Sequence, residues 1–365
     1  MNPGVTHHDP DRSYDGYTLI NYIHLEPDEP VPIYLADMDG EIVHRWEVDT
    51  ALQSYCKLLP NGNLLYPTRD RTDLFEAGIR EIDPDSNVVW EYHCRADHDM
   101  QVVGIHDNPS PRIPDGNLLI HTLDDHMTPW IADGLVRNPY IVEIDRNKRL
   151  QWEWRGEDHF HRLGELLDAD DWQFVLDRIE DRYQFDWAHN NTLQIIPKNE
   201  AWEETGDDRV KPGNIVFSYR SVDVIGTIDY PSGEIVWAWG PSELDGQHLP
   251  HVLENGNVLI YDNGTERGWS RVIEVDPITE EIVWQYPESK DEDFYSPAIS
   301  GARRLPNGNT LICSGQQLWL FEVTSDGEIV WEFEEPYRDE NPESDMIYRT
   351  YRYSKEYCQP LVDRI

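Results

Sequence analysis

Lysine is nearly missing from this 365-residue chain. Lys57, Lys148, Lys198, Lys211, Lys290 and Lys355 are all six, so 30 − 6 = 24 of the cations are arginine. Against them stand 71 Asp and Glu, for a formal charge of −41. So large a negative charge excludes nucleic acid and anionic lipid surfaces as natural partners, because both would be repelled. Cysteine is scarce too. Cys56, Cys94, Cys313 and Cys358 are scattered, without a C-x-x-C pair, and read as reduced structural thiols. No apolar run approaches a membrane span, and residues 1–17 hold neither a basic n-region nor an apolar h-region, so a secretory signal is not expected. A cytoplasmic location is the expectation. There is no Walker loop, dinucleotide fingerprint, G-x-S-x-G elbow or H-E-x-x-H.

What the chain does have is 39% hydrophobic residues, 14 Trp, 19 Tyr and 25 Pro, enough for a large core and unlike a disordered acidic polymer. The acidity is spread along the whole sequence. An acidic surface with arginine favoured over lysine fits a halophilic protein in a salt-rich cytosol, where screening removes self-repulsion.

Two sequence units alternate. One is a turn of Asn-Gly character followed by an apolar strand: Leu59-Pro60-Asn61-Gly62-Asn63-Leu64-Leu65-Tyr66, then Pro114-Asp115-Gly116-Asn117, Pro212-Gly213-Asn214, Glu254-Asn255-Gly256-Asn257 and Pro306-Asn307-Gly308-Asn309. Asn and Gly tolerate the positive φ of tight hairpins. The other is a strand, an acidic turn and a strand ending in Trp, at Trp46, Trp90, Trp152, Trp237, Trp284 and Trp331. Two hairpins make one four-stranded blade, so six Trp units predict an all-β, six-bladed propeller. The first Trp hairpin lacks an Asn-Gly partner. Strand-like segments at 17–23 and 347–353 can supply it, closing the ring by pairing the N- and C-terminal strands in one blade, which leaves no open sheet edge. A solenoid would need no such complementary ends. The reading is a single propeller domain over 1–365. It is interrupted at about 156–186, between blades three and four, where Trp172, Val175, Leu176, Ile179 and Tyr183 fall at helical spacing.

The starts of the innermost strands should converge at a channel mouth. His248 lies nine positions before Asn257, and the same offset gives Ser54, Asn108 and Ser300. His189 opens the fourth blade, and His106 falls two residues early for the second ring position. Arg220, expected on the strand paired with the His189 segment, could hold an anionic group. A salt bridge is an equal reading for it, as a structural role is for each histidine. His159-Phe160-His161 has H-x-H spacing without an evident third ligand, so no metal is expected.

Together, Asp186-Trp187-Ala188-His189-Asn190-Asn191-Thr192, Ser218-Tyr219-Arg220, Gly246-Gln247-His248 with Asn255 to Gly264, Tyr295-Ser296-Pro297 and Tyr348-Arg349-Thr350-Tyr351-Arg352-Tyr353 resemble the arylsulfate sulfotransferase (arylsulfotransferase) family over about 16–353. The resemblance implies a six-bladed propeller enzyme, with no nucleotide donor or other cofactor. Such enzymes transfer a sulfuryl group from a phenolic sulfate ester to a phenol through a sulfohistidine. It also implies catalytic roles for His189, His248 and Arg220, and contact with a small aryl sulfate by Asn191; His106 and Ser300 are further expected binding positions from their place in the repeat. Family members place the nucleophilic histidine in later blades. Here no histidine occurs over 253–365 and Ser300 holds the sixth-blade position, so His189 or His248 would serve. A different His-dependent lyase or hydrolase, or a non-catalytic binding propeller, are the alternatives, since propellers host many functions.

Overall fold

The computed structural model describes residues 4–24, 30–69, 77–105, 110–334 and 345–364. Strands dominate, arranged in six antiparallel sheets. Blade one is Gly16–His24, Val31–Ala36 and Ile42–Val48. Blade two is Ala51–Leu52 and Lys57–Leu58, then Leu64–Arg69, Gly78–Ile82 and Val88–His93. Blade three is Ala96–Val102, Leu118–Met127, Leu135–Ile144 and Leu150–Arg155. Blade four is Asn190–Ile195, Ile215–Tyr219, Val224–Ile228 and Ile235–Trp239. Blade five is His248–Val252, Val258–Asp262, Arg271–Val275 and Ile282–Tyr286. Blade six is Gly301–Arg304, Thr310–Ser314, Trp319–Val323 and Ile329–Glu334. This is the six-bladed β-propeller that the alternating hairpins predict.

The chain ends close the fold as expected. Asp345–Ile347 and Tyr351–Ser354 both pair antiparallel with Gly16–His24, supplying the missing strand of blade one. A second closure was not foreseen: Val5–His8 pairs with Ile329–Glu334 as a fifth strand on blade six.

The chain divides into two compact units, Met1–Ala96 with Tyr286–Ile365, and Asp97–Gln285. Blades one, two and six fall in the first, and blades three to five in the second.

The repeats fold for local reasons. The turn glycines Gly62, Gly116, Gly213, Gly256 and Gly308 all have φ between 86° and 95°, where a Cβ would be strained. The acidic turns are Asx turns: Asp37 Oδ1 accepts from the N–H of Asp39 and Glu41 at 3.0 and 2.9 Å, and Asp83 and Asp145 do the same two and four residues on. The outer-strand tryptophans and their neighbours join successive blades within each unit. Trp152 and Trp154 donate to the carbonyls of Pro231 and Gly233, and Trp331 to that of Met38. Trp46 and Trp331 are buried outright.

The insertion between blades three and four is helical, as the periodicity predicts. A 3-10 turn at Gly156–His159 leads into α1 (Phe160–Leu166) and α2 (Ala169–Arg178), and a π turn follows at Ile179–Tyr183. Asp168 caps α2 through the N–H groups of Asp170 and Asp171. Phe160, Leu163, Val175 and Ile179 enter the core of the second unit beside Trp187 and Tyr219. His159 stacks on Trp154 with ring centroids 5.1 Å apart, and His161 meets Phe160 edge-on, so both pack rather than converge.

Candidate functional site

Every expected catalytic residue lies in the unit spanning Asp97–Gln285. His189 stands just before the inner strand of blade four with φ of 45°, a conformation few non-glycine residues adopt. Its Nδ1 lies 2.7 Å from Asp186 Oδ2, and its N–H donates to Asp186 Oδ1 at 3.2 Å. Nδ1 therefore carries the proton, and the lone pair of the neutral ring is on Nε2. Burial opposes ionisation of Asp186, but the His189 hydrogen bond and charge hold the carboxyl below its usual range.

Arg220 does not lie on a strand. It opens a 3-10 turn, Arg220–Val222, directly after the strand Ile215–Tyr219, because the ladder ends at the Tyr219–Val224 pair. Its backbone N–H reaches the His189 carbonyl at 3.4 Å. Its guanidinium borders Gly246, where an added Cβ would stand 4.0 Å from Nη2.

Gly246 leads to His248, which is buried at the start of blade five. His248 Nδ1 lies 2.8 Å from Asn263 Oδ1 and 3.1 Å from the Gly246 carbonyl. Two oxygens around one nitrogen again put the proton on Nδ1 and the lone pair on Nε2. Asn191 donates to the Gln247 carbonyl at 2.8 Å, and Thr192 Oγ1 accepts from Leu249 N–H at 3.0 Å. The inner strands of blades four and five are thus tied side by side next to both histidines. Gln247 reaches back to Ser218 Oγ at 3.1 Å. Asp223 accepts from Gly246 N–H at 2.6 Å and pairs with Arg178 of α2, so the insertion braces this junction. Burial pushes the Asp223 carboxyl up to about 6 against the pull of Arg178.

Ser300 is in the other unit. Its hydroxyl, fully buried, lies 2.8 Å from Ser296 Oγ and accepts from Gly315 N–H at 2.9 Å, a structural use. His106 and Asn108 lie outside the described residues.

Backbone register aligns the blades independently of the turn spacing. The N–H groups of Leu59, Val103, Ile196, Leu253 and Leu305 each donate to the carbonyl of the turn asparagine, Asn63, Asn117, Asn214, Asn257 or Asn309. Counting five residues back from these donors gives Ser54, His98, Asn191, His248 and Ser300. The donor and the asparagine are four positions apart in blades two, five and six, but fourteen in blade three and eighteen in blade four. Longer loops shift the count, so the blade-three equivalent of His248 is His98.

His98 is therefore a candidate site residue that counting from the turn asparagine missed. It has φ of 47°, much like His189, and the two rings meet edge-on with centroids 4.6 Å apart. His98 Nδ1 contacts Asp97 Oδ2. Asp97 also faces His121, whose Nδ1 is 3.2 Å from its carbonyl and 3.7 Å from its carboxylate. Burial opposes ionisation of Asp97, but His98 and His121 keep it well below the carboxylate range. Burial drives His121 down to about 4, so its ring is neutral near pH 7. The sequence signal was the run Asp97-His98-Asp99, legible only once blade three is aligned on its strand rather than its turn.

The fold is thus a six-bladed propeller in which His98 and His189 stand beside carboxylates and His248 beside an amide near the starts of their blades, with Arg220 just past the second strand of blade four. The chain belongs to the arylsulfotransferase family, whose model, described as arylsulfotransferase (ASST), matches residues 4–245. The match takes in His98, His189, Asn191 and Arg220 and ends just before His248. No curated protein matches the sequence. Among solved structures, a protein of unknown function from Bacteroides caccae is 14% identical with a TM-score of 0.51, over 93% of this chain and 99% of that one. Periplasmic gluconolactonase from Pseudomonas aeruginosa is 12% identical with a TM-score of 0.46, over 88% and 96%. A catalytically inactive virginiamycin B lyase from Staphylococcus aureus, solved with quinupristin, is 11% identical with a TM-score of 0.44, over 89% and 87%. Among the described residues, no helix is long and apolar enough to cross a membrane.

Proposed function

We propose that this family member transfers a sulfuryl group from an aryl sulfate ester to an acceptor phenol, with His248 as nucleophile. The observation that carries this reading is the contrast between the two histidine partners. The Asn263 amide beside His248 carries no charge and so does not favour an imidazolium there, and a neutral ring with its proton on Nδ1 attacks through Nε2. The Asp186 carboxylate beside His189 stabilises positive charge when that ring takes up a proton, which suits an acid and base. In the first half-reaction, with His189 in its imidazolium form, His248 Nε2 bonds to sulfur, the S–O bond to the aryl group breaks, and the departing phenolate takes the Nε2 proton of His189, leaving it neutral. The acceptor phenol then gives its proton to His189 and attacks the sulfur, restoring His248. Arg220 stabilises the charge gathering on the outer sulfuryl oxygens, and Asn191 fixes the peptide that carries His248.

The test is incubation with p-nitrophenyl sulfate in molar salt, with and without added phenol. Nitrophenol release that depends on the acceptor supports transfer. Release without acceptor makes the protein a hydrolase. An intact ester removes the reading. His248→Ala and His189→Ala should each abolish turnover while circular dichroism stays unchanged. Arg220→Ala should lower kcat/KM by about one to two orders of magnitude, since a charge-assisted contact contributes roughly 1.5–3 kcal/mol. Wild-type activity in both histidine variants would refute the assignment.

A further inference from the structure

We propose that Asp97, His98 and His121 form a binding site for one divalent transition-metal ion of the zinc class, beyond anything sulfuryl transfer requires and against the expectation of no metal. Asp97 and His98 are consecutive on the inner strand of blade three, and His121 lies on the strand hydrogen-bonded to it. Each of the three offers a ligand atom, and these atoms lie within 4.8 Å of one another. Ligands on a tetrahedral zinc with bonds near 2.0–2.1 Å sit roughly 3.4 Å apart. Asp97 Oδ2 stands 3.7 Å from His121 Nδ1 and contacts His98 Nδ1, so both imidazoles already border this carboxylate.

The donor set points the same way. Two imidazoles and one carboxylate suit zinc, iron(II) and their neighbours, whereas magnesium and calcium select oxygen ligands. His121 adds an independent observation. Its Nδ1 faces the Asp97 carbonyl, so the neutral ring carries its lone pair on Nε2, and that buried nitrogen has no hydrogen-bond partner among the described residues. A buried polar atom left unpaired calls for an explanation, and a metal ligand supplies one. Three protein ligands leave at least one coordination position for water or another small donor. The His98 ring, edge-on to His189, would set that position beside the His189–Asp186 pair.

The purified full chain would be stripped with a chelator in molar KCl, which suppresses diffuse binding to the acidic surface, and titrated with Zn2+ or Co2+. The expectation is one tight ion per chain by elemental analysis after dialysis, and visible d–d absorption with Co2+. His121→Asn and His98→Gln should each weaken Zn2+ by more than the ten- to hundredfold that losing an outer-shell partner costs. His126→Asn, in the separate Asp124, His126, Glu157 group, should keep full affinity. Circular dichroism checks that each variant folds, and His98→Gln, on the less buried ring, covers the case in which His121→Asn does not. Unchanged affinity in a folded variant, or no Co2+ absorption in the wild type, overturns the site. Because the readout is metal content and spectrum, this outcome is independent of whether sulfuryl transfer is found.

Discussion

Arg352 and Glu322 carry opposite charges to a place where water reaches neither side chain. Arg352 also donates to Thr18 Oγ1 at 3.1 Å and lies over the Trp331 ring at 4.1 Å, binding the closing strand of blade one to blade six. Removing one member of such a pair strands the other charge, which costs roughly 3–5 kcal/mol. Urea unfolding of Arg352→Met and of Glu322→Gln should each show that loss, and the double variant should recover much of it. Additive losses would contradict the pairing. The thiols and several tyrosines give a pH dependence of fixed sign. Burial pushes Cys358, Tyr66 and Tyr286 up to about 12, and Cys56 and Cys313 higher still. An unfolded thiol ionises near 8.5 and a phenol near 10. The folded chain therefore holds protons that the unfolded chain releases. This stability is complete below about pH 8.5 and is lost as the pH rises toward 12. Melting temperature should fall steadily above pH 9, and a flat profile to pH 11 would refute the burial argument.

At the scale of the element, the Asn-Gly turn does more than reverse the chain. Its last asparagine donates to a glutamate on the third strand of the same blade: Asn63 to Glu81 at 2.6 Å, Asn117 to Glu143 at 2.5 Å, Asn257 to Glu274 at 2.7 Å and Asn309 to Glu322 at 2.6 Å. All four carboxylates are buried. Blade four has Thr227 where the others have glutamate, and Asn214 instead donates to the Asp208 carbonyl. Part of the acidity is thus internal structure. Asn257→Ala or Asn309→Ala should destabilise the protein by roughly 1.5–3 kcal/mol, the range for a hydrogen bond to a charged group. Asn214→Ala, with no carboxylate to abandon, should cost less by the same denaturation measurement.

For the whole molecule, the charge of −41 decides the solution conditions. At about 0.1 M salt the screening length is ~10 Å, and at 1 M ~3 Å. Repulsion among surface carboxylates should fall accordingly, so the melting temperature should rise from dilute buffer to molar KCl. Equal melting temperatures at both ends of that series would remove the halophilic reading.

The alternation of turn and Trp hairpins, the blade count, the strands that close blade one and the helical insertion were all legible in the sequence. Each rests on short-range chemistry: positive φ at Asn-Gly, period-two strands, and apolar spacing in the helix. The positions of His189, His248 and Asn191 at inner-strand starts were legible for the same reason. The placement of Arg220 past its strand, of His98 at the blade-three ring position, and of His121 against Asp97 was not. Those depend on how many residues the loops after Val103 and Ile196 absorb before the ladder resumes, and on which neighbouring strand meets Asp97. A one-residue change in register turns every side chain of a strand to the opposite face. Hydrogen bonding between strands fixes that register, and no local pattern in the chain records it.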